Sequence, residues 1–147
     1  MLKLLSWATV ILWMALIFFL SAQAAEQSDQ LSSGITEKIV QAVEKVIPDV
    51  GLVTENMNHI VRKYAHFFAY LMLGALTVNA FCTSGVCGFK GIAAAVIVCV
   101  LYAISDEIHQ IFVPGRSGQF SDVLLDSAGA VIGAFVVGNL RSKPRKT

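Results

Sequence analysis

The stretch GIAAAVIVCVLYAISDEIHQIF, residues 91–112, is apolar for most of its length and charged only towards its far end. About 20 apolar residues in a helix cross the roughly 30 Å hydrocarbon layer of a bilayer. Its Asp106 and Glu107 therefore lie within or beside a membrane span. An ionised group there costs about 2.5–3.5 kcal/mol at the bilayer centre and less near the edges. A chain that keeps such groups is expected to use them.

Three further apolar runs have a similar character, at about residues 4–21, 64–82 and 122–140. The chain has 147 residues, of which 56% are hydrophobic, and its mean hydropathy is +0.68. Both values exceed those of ordinary soluble domains. We predict an all-α, polytopic membrane protein with four transmembrane helices, forming a single domain over residues 1–147, with the lipid bilayer and not nucleic acid as its surroundings.

The segment between the first two spans, about residues 22–60, is polar and acidic. Apolar residues recur in it at helical spacing, as at Ile35, Ile39 and Val43, and Pro48 follows them. This pattern predicts an amphipathic extracytoplasmic helix that lies on the membrane surface or over the mouth of the bundle.

The first apolar run is followed by Ala22-Gln-Ala24, which resembles a signal-peptidase site. The run is longer than the apolar region of a usual signal peptide. The sequence therefore favours a retained first span, and cleavage stays open as the alternative.

The cysteines give only weak evidence for a disulfide or a metal site. Cys82, Cys87 and Cys99 are an odd number, so they make no complete disulfide framework. We interpret all three as small apolar filler.

Basic residues flank the spans on one side. Lys3 precedes the first span, Lys90 lies between the second and third, and Arg141 opens a basic tail. Short cytoplasmic flanks carry an excess of Lys and Arg, so both termini are predicted to be cytoplasmic. The outer ends of spans two to four then carry the unusual polar residues, which are Arg62, Lys63, His66, Asp106, Glu107, Gln110, Arg116, Asp122 and Asp126.

Helical spacing groups these residues into faces. Lys63, His66 and Tyr70 share one face at i, i+3 and i+7, and Asp106 and Gln110 share another at i, i+4. Polar groups from separate spans are therefore expected to line one outward-facing pocket.

Small residues continue the acidic face of the fourth span. Asp122 and Asp126 are followed on that face by Gly129 and Gly133. Such a stripe favours close helix–helix contact, which would direct the carboxylates towards neighbouring helices instead of lipid.

The ordered motifs resemble one known family. The chain carries, in order, Phe18-Phe-Leu-Ser21, Arg62-Lys63-x-x-His66-Phe67-x-x-Tyr70-x-x-Leu73-Gly74, Ser105-Asp106-Glu107-x-x-Gln110-x-Phe112-x-Pro114-Gly115-Arg116-Ser117-Gly118 and Asp122-x-x-x-Asp126-x-x-Gly129-x-x-x-Gly133. This set resembles the VanZ-like family of small bacterial membrane proteins, which commonly has Asn where this chain has Asp126. The resemblance covers all four spans and little of residues 22–60. It implies a multi-pass protein of the bacterial cytoplasmic membrane and a link to resistance to the lipoglycopeptide teicoplanin.

Binding of an anionic envelope lipid or a lipid-linked wall precursor is the first function that the residues allow. Arg62, Lys63 and Arg116 would hold phosphate, Arg in bidentate fashion. Ser117 and the N–H groups at the start of the fourth span would add donors. The predicted lining is completed by Tyr70, Gln110, Asp122 and Asp126.

Three alternatives remain open. A membrane-embedded hydrolase or group transferase would use His66, Asp106 and Glu107 as acid, base or nucleophile. A structural ion-pair network would only balance the charges. A small proton-coupled carrier would need a homo-oligomer, because one copy has four spans.

No cofactor or metal site is predicted. The acidic groups Asp106, Glu107 and Asp122, with His66, would at most suit a hard divalent cation such as magnesium or calcium.

Overall fold

The protein is seen in a computed structural model that describes residues 1–23, 54–116 and 118–142. This part of the chain forms four helices: α1 (Leu2–Ser21), α2 (Thr54–Thr83), α3 (Phe89–Gln110) and α4 (Phe120–Ser142). All four contain a stretch long and apolar enough to cross a membrane. The predicted all-α fold with four membrane helices is therefore confirmed. The amphipathic helix predicted around Ile35–Val43, and Ser117, lie outside the described residues.

Most helix boundaries lie one or two residues from the predicted spans, and the start of α2 and the end of α3 differ for clear physical reasons. α2 begins at Thr54, before the predicted start at residue 64, and only its part from Ile60 onward is apolar enough to span. The helix continues beyond the hydrocarbon because its backbone hydrogen bonds do not depend on lipid. α3 ends at Gln110, earlier than the predicted limit of residue 112. Pro114 follows closely, and a proline disfavours helical geometry at the residue before it, so the helix ends ahead of Val113.

α2 packs against each of the other three helices, and most extensively against α4. Its contact with α4 is close because small residues face it, and Gly129, Ala130, Gly133 and Ala134 are all buried. Backbone therefore approaches backbone, as small residues permit in membrane bundles.

α1 is bonded to the bundle along its length. The indole Nε1 atoms of Trp7 and Trp13 donate to Ser84 Oγ (3.1 Å) and to the Ala69 carbonyl (2.9 Å). Tyr102 Oη on α3 donates to the Met14 carbonyl at 2.6 Å. These bonds make α1 an integral part of the helix bundle in this structure.

The cysteine interpretation is wrong for two of the three residues. Cys82 and Cys87 form a disulfide across the turn between α2 and α3. Cys99 is buried with a free thiol, in line with a filler role. Counting cysteines missed the pair because an odd total still permits one bridge when a turn brings two thiols together.

Candidate functional site

A cavity of about 240 Å³ opens at the end of the bundle where α3 ends and α4 begins. Its lining consists of Arg62, Lys63, His66, Glu107, Gln110, Gly115, Arg116, Gln119, Asp122, Leu125 and Asp126. Most of the residues predicted from the sequence meet there. Asp106 and Tyr70 lie behind the lining, and Ser117 is outside the described residues.

The mouth of the cavity carries an ion pair. Lys63 Nζ lies 2.7 Å from Asp122 Oδ1, and it also donates to Gln119 Oε1 at 3.3 Å. The two charged side chains are 27% and 25% exposed. Ion pairs in contact with water are worth only about 0–1 kcal/mol, so an incoming anion can exchange for Asp122 at little cost.

The connector between α3 and α4 brings Arg116 into the lining. Gly115 has φ 74°, in the left-handed region that favours glycine, and Arg116 N donates to the Val113 carbonyl at 3.1 Å. Pro114 and Gly115 are the two central residues of this turn, which returns the chain towards the bundle and places the Arg116 side chain at the cavity.

His66 lies between two buried carboxylates. Its Nδ1 atom is 3.7 Å from Asp126 Oδ2 and 4.0 Å from Asp106 Oδ2. Asp106 is 2% exposed and Asp126 is 3% exposed. The imidazole therefore lies near both carboxylates and can pair with either of them.

Asp106 is held by a residue that sequence analysis did not include among the site residues. Ser21 Oγ, at the end of α1, donates to Asp106 Oδ2 at 2.8 Å. Gln110 Nε2 donates to Ser21 Oγ at 2.8 Å and to Asp106 Oδ2 at 3.3 Å. The only signal for Ser21 was its place in the motif Phe18–Ser21, since nothing along α1 indicates a partner 85 residues away.

Glu107 ties the connector to α3. Its Oε1 accepts a hydrogen bond from the backbone N–H of Gln119, and the Glu107 side chain is buried. Sequence reasoning missed Gln119 because the connector has no periodicity that would orient its residues. Glu107 therefore holds the connector in place as part of the cavity wall, and it also contributes a carboxylate to the lining.

Tyr70 lies below the cavity instead of in its lining. It is fully buried, and its hydroxyl faces Asp106. Its ring is 6.1 Å from that of Tyr102, which places it among core aromatic residues. Tyr70 thus supports the floor of the site.

Two buried carboxylate oxygens lack a hydrogen-bond donor among the described residues. Asp106 Oδ1 and Asp126 Oδ1 accept no hydrogen bond from the part of the chain that the structure describes. Across residues 1–23, 54–116 and 118–142, no three His, Cys, Asp or Glu residues are grouped so as to hold a metal ion.

Comparison with family models gives a match to VanZ/LLP1 over residues 6–141. Comparison with curated proteins and with solved structures gives no match. This family is linked to glycopeptide resistance, and the four helices long enough to cross a membrane are consistent with a membrane protein. Because the match spans nearly the whole chain and includes every residue of the cavity, this protein belongs to the VanZ/LLP1 family.

Proposed function

We propose that the protein binds the phosphate-bearing headgroup of an envelope lipid or of a lipid-linked wall precursor in this cavity. The observation that carries the proposal is the meeting of Arg62, Lys63 and Arg116 in one lining at the end of a membrane bundle. All three are half-buried, so water screens them less than at an open surface. Guanidinium and ammonium groups are the usual protein partners of phosphate.

The size of the cavity favours a headgroup over a larger ligand. Its volume of about 240 Å³ is smaller than the roughly 300–1,000 Å³ of sites for drug-sized molecules. A whole glycopeptide antibiotic would not fit. The family link to teicoplanin resistance would then act through handling of a wall precursor or lipid and not through capture of the drug.

Apolar residues beside the mouth support a lipid-linked ligand. Phe112 is 79% exposed and Phe120 is 75% exposed, at the two ends of the connector. Both lie where a span meets the membrane surface, so acyl or prenyl chains would have an apolar surface next to the charged cavity.

Replacing Arg116 by Ala is expected to lower the affinity for the lipid at least tenfold. A hydrogen bond to a charged group contributes about 1.5–3 kcal/mol, and about 1.4 kcal/mol is tenfold in affinity. The measurement is native mass spectrometry of purified protein with bacterial phospholipids and wall precursors. The matched control is Arg141→Ala, at the opposite end of α4, where Arg141 bonds to Asn79. Equal lipid retention by both variants would contradict the proposal and favour a purely structural ion-pair network.

We further propose that the cavity faces outward in the bacterial cytoplasmic membrane, with both termini cytoplasmic. Lys3, Lys90 and Arg141 lie at the opposite end of the bundle, and that end is expected inside. The Cys82–Cys87 bridge is also at that end, although disulfides are rare in the cytoplasm. The proposed orientation therefore predicts that the bridge seen in this structure is reduced to two thiols in the cell.

Reporter fusions test the orientation directly. A green fluorescent protein fused after Thr147 is expected to fluoresce, and alkaline phosphatase fused there is expected to be inactive. The reverse result would place the cavity on the cytoplasmic side and the disulfide in an oxidising compartment. A fusion after Lys90 gives the matched control, because the start of α3 lies at the same end of the bundle.

A second candidate function is acid–base chemistry on a lipid-linked substrate. The position of His66 Nδ1 between Asp106 and Asp126 favours it, because a carboxylate beside an imidazole orients the ring for proton transfer. The same incubations would reveal a modified lipid formed by the wild type and not by Asp106→Asn. Lipid binding without a modified product would exclude this second function and support headgroup binding only.

A further inference from the structure

We infer that the cavity selects phosphate headgroups that also carry a primary ammonium group, with the ammonium at the floor and the phosphate at the mouth. The ligand class is an aminoalkyl phosphate. This inference rests on the proposed function, because it specifies which phosphate headgroup the same cavity takes.

Charges in the cavity are segregated by depth. The cations Arg62, Lys63 and Arg116 are half-buried, whereas Glu107 is 7% exposed and Asp126 is 3% exposed. Apart from Asp122, which pairs with Lys63 at the mouth, the negative groups of the lining therefore lie deeper than these three cations. A ligand with a single negative charge would match only the outer half of this arrangement, since its far end would meet carboxylates.

The unsatisfied carboxylate oxygens specify what the floor requires. Asp126 lines the cavity, and its buried Oδ1 accepts no hydrogen bond from the described residues. His66 approaches Oδ2 of the same carboxylate, so Oδ1 is the oxygen of Asp126 that lacks a donor among the described residues. Buried acceptors without donors are unfavourable, and an ammonium group carries three donors and a compensating charge.

The order of charges fits a lipid that enters head first. In a lipid with an aminoalkyl phosphate headgroup, the phosphate lies between the acyl chains and the amine. The amine of such a headgroup reaches the floor while the phosphate stays among the cations and the chains pass Phe112 and Phe120. The amine thus meets the carboxylates, the phosphate meets the cations and the chains meet the apolar surface. This order along the ligand is the same as the order from the floor of the cavity to its mouth.

Lipids that differ only in the headgroup test this inference. Purified wild type in detergent is titrated with phosphatidylethanolamine, phosphatidylglycerol and N-acetyl phosphatidylethanolamine, and binding is read by native mass spectrometry. The N-acetyl lipid keeps the phosphate and lacks the ammonium. We expect phosphatidylethanolamine to bind at least tenfold more tightly than either of the other two. Competition with soluble glycerophosphoethanolamine distinguishes a lipid ligand from a soluble one. If the soluble ester fails to displace the lipid, the ligand is a membrane lipid. If the soluble ester binds and the lipids do not, the assignment of a lipid ligand is overturned.

A matched pair of variants locates the ammonium. Asp126→Asn is expected to abolish the preference for phosphatidylethanolamine and to keep binding of phosphatidylglycerol. Asp122→Asn makes the same change at the mouth and is expected to keep the preference. Glu107→Gln serves as a second floor variant if Asp126→Asn does not fold, and the wild-type comparison needs no variant at all.

The outcomes separate this inference from the proposed function. Equal binding of all three lipids by the wild type overturns the ammonium site and leaves headgroup binding in place. A preference that persists in the folded floor variants overturns the placement at Asp126. Binding of none of the three lipids, nor of a wall precursor, refutes the proposed function itself.

Discussion

Gly133→Ala is expected to prevent α2 and α4 from packing and to leave most of the protein misfolded. A Cβ atom on Gly133 would lie 2.9 Å from the carbonyl carbon of Leu71 and closer still to its oxygen. These are backbone atoms of α2 and cannot rotate away. Overpacking of a core costs about 1–3 kcal/mol or more, and here two helix backbones must separate.

Helix propensity and packing predict opposite effects of Gly133→Ala on stability. Ala is a better helix former than Gly by about 1 kcal/mol, so propensity alone would stabilise α4. The measurement is the thermal unfolding midpoint and the monodisperse yield in detergent. Val136→Ala is the control, because it places the same residue on the same helix at a position 51% exposed on the outer surface of the bundle. Equal yields and midpoints for Gly133→Ala and Val136→Ala would show that α2 and α4 are not in backbone contact.

The packing of Gly133 also bears on the site. Asp126 is two helical turns earlier on the same face of α4, and Gly129 between them packs against the Phe67 carbonyl of α2. A shift of α4 away from α2 would therefore withdraw Asp126 from His66. Close packing of α4 against α2 therefore sets the distance between Asp126 and His66.

Asp106→Ala is expected to lower stability strongly, whereas Asp106→Asn is expected to lower it only slightly. The alanine variant leaves the buried Ser21 hydroxyl without its acceptor and removes the longer of two bonds from Gln110 Nε2, which keeps its bond to Ser21 Oγ. A buried group left unpaired costs about 1–3 kcal/mol, and the lost Gln110 bond adds a smaller amount to this loss. Asparagine keeps an acceptor oxygen and the same shape.

The contact of α1 with the bundle provides the readout. We expect Asp106→Ala to lower the unfolding midpoint and to expose α1 to protease before the other helices unfold. Ser21→Ala serves as the control for the loss of a single donor and should have a smaller effect. Similar midpoints for Asp106→Ala and Asp106→Asn would mean that Asp106 does not hold the end of α1 in the folded protein.

The sequence determined the fold class and the region of the site. Hydropathy over about 20 residues is a local property, and it located all four spans without knowledge of their neighbours. Alternating span direction then placed Lys63, Glu107 and Asp122 at one end of the bundle, where the cavity is found. Helical periodicity also placed Gly133 on the face of α4 that packs against α2.

The tertiary structure alone decided which side chains touch. The bond from Ser21 to Asp106 joins helices far apart in sequence, and the bond from Gln119 to Glu107 depends on the course of an aperiodic connector. Tyr70 shares a helical face with His66, yet it lies behind Asp106 because the next turn of α2 is deeper in the bundle. Spacing along one helix fixes only the relative direction of its own side chains. Rotation and depth of each helix against its neighbours are set by the packing of all four.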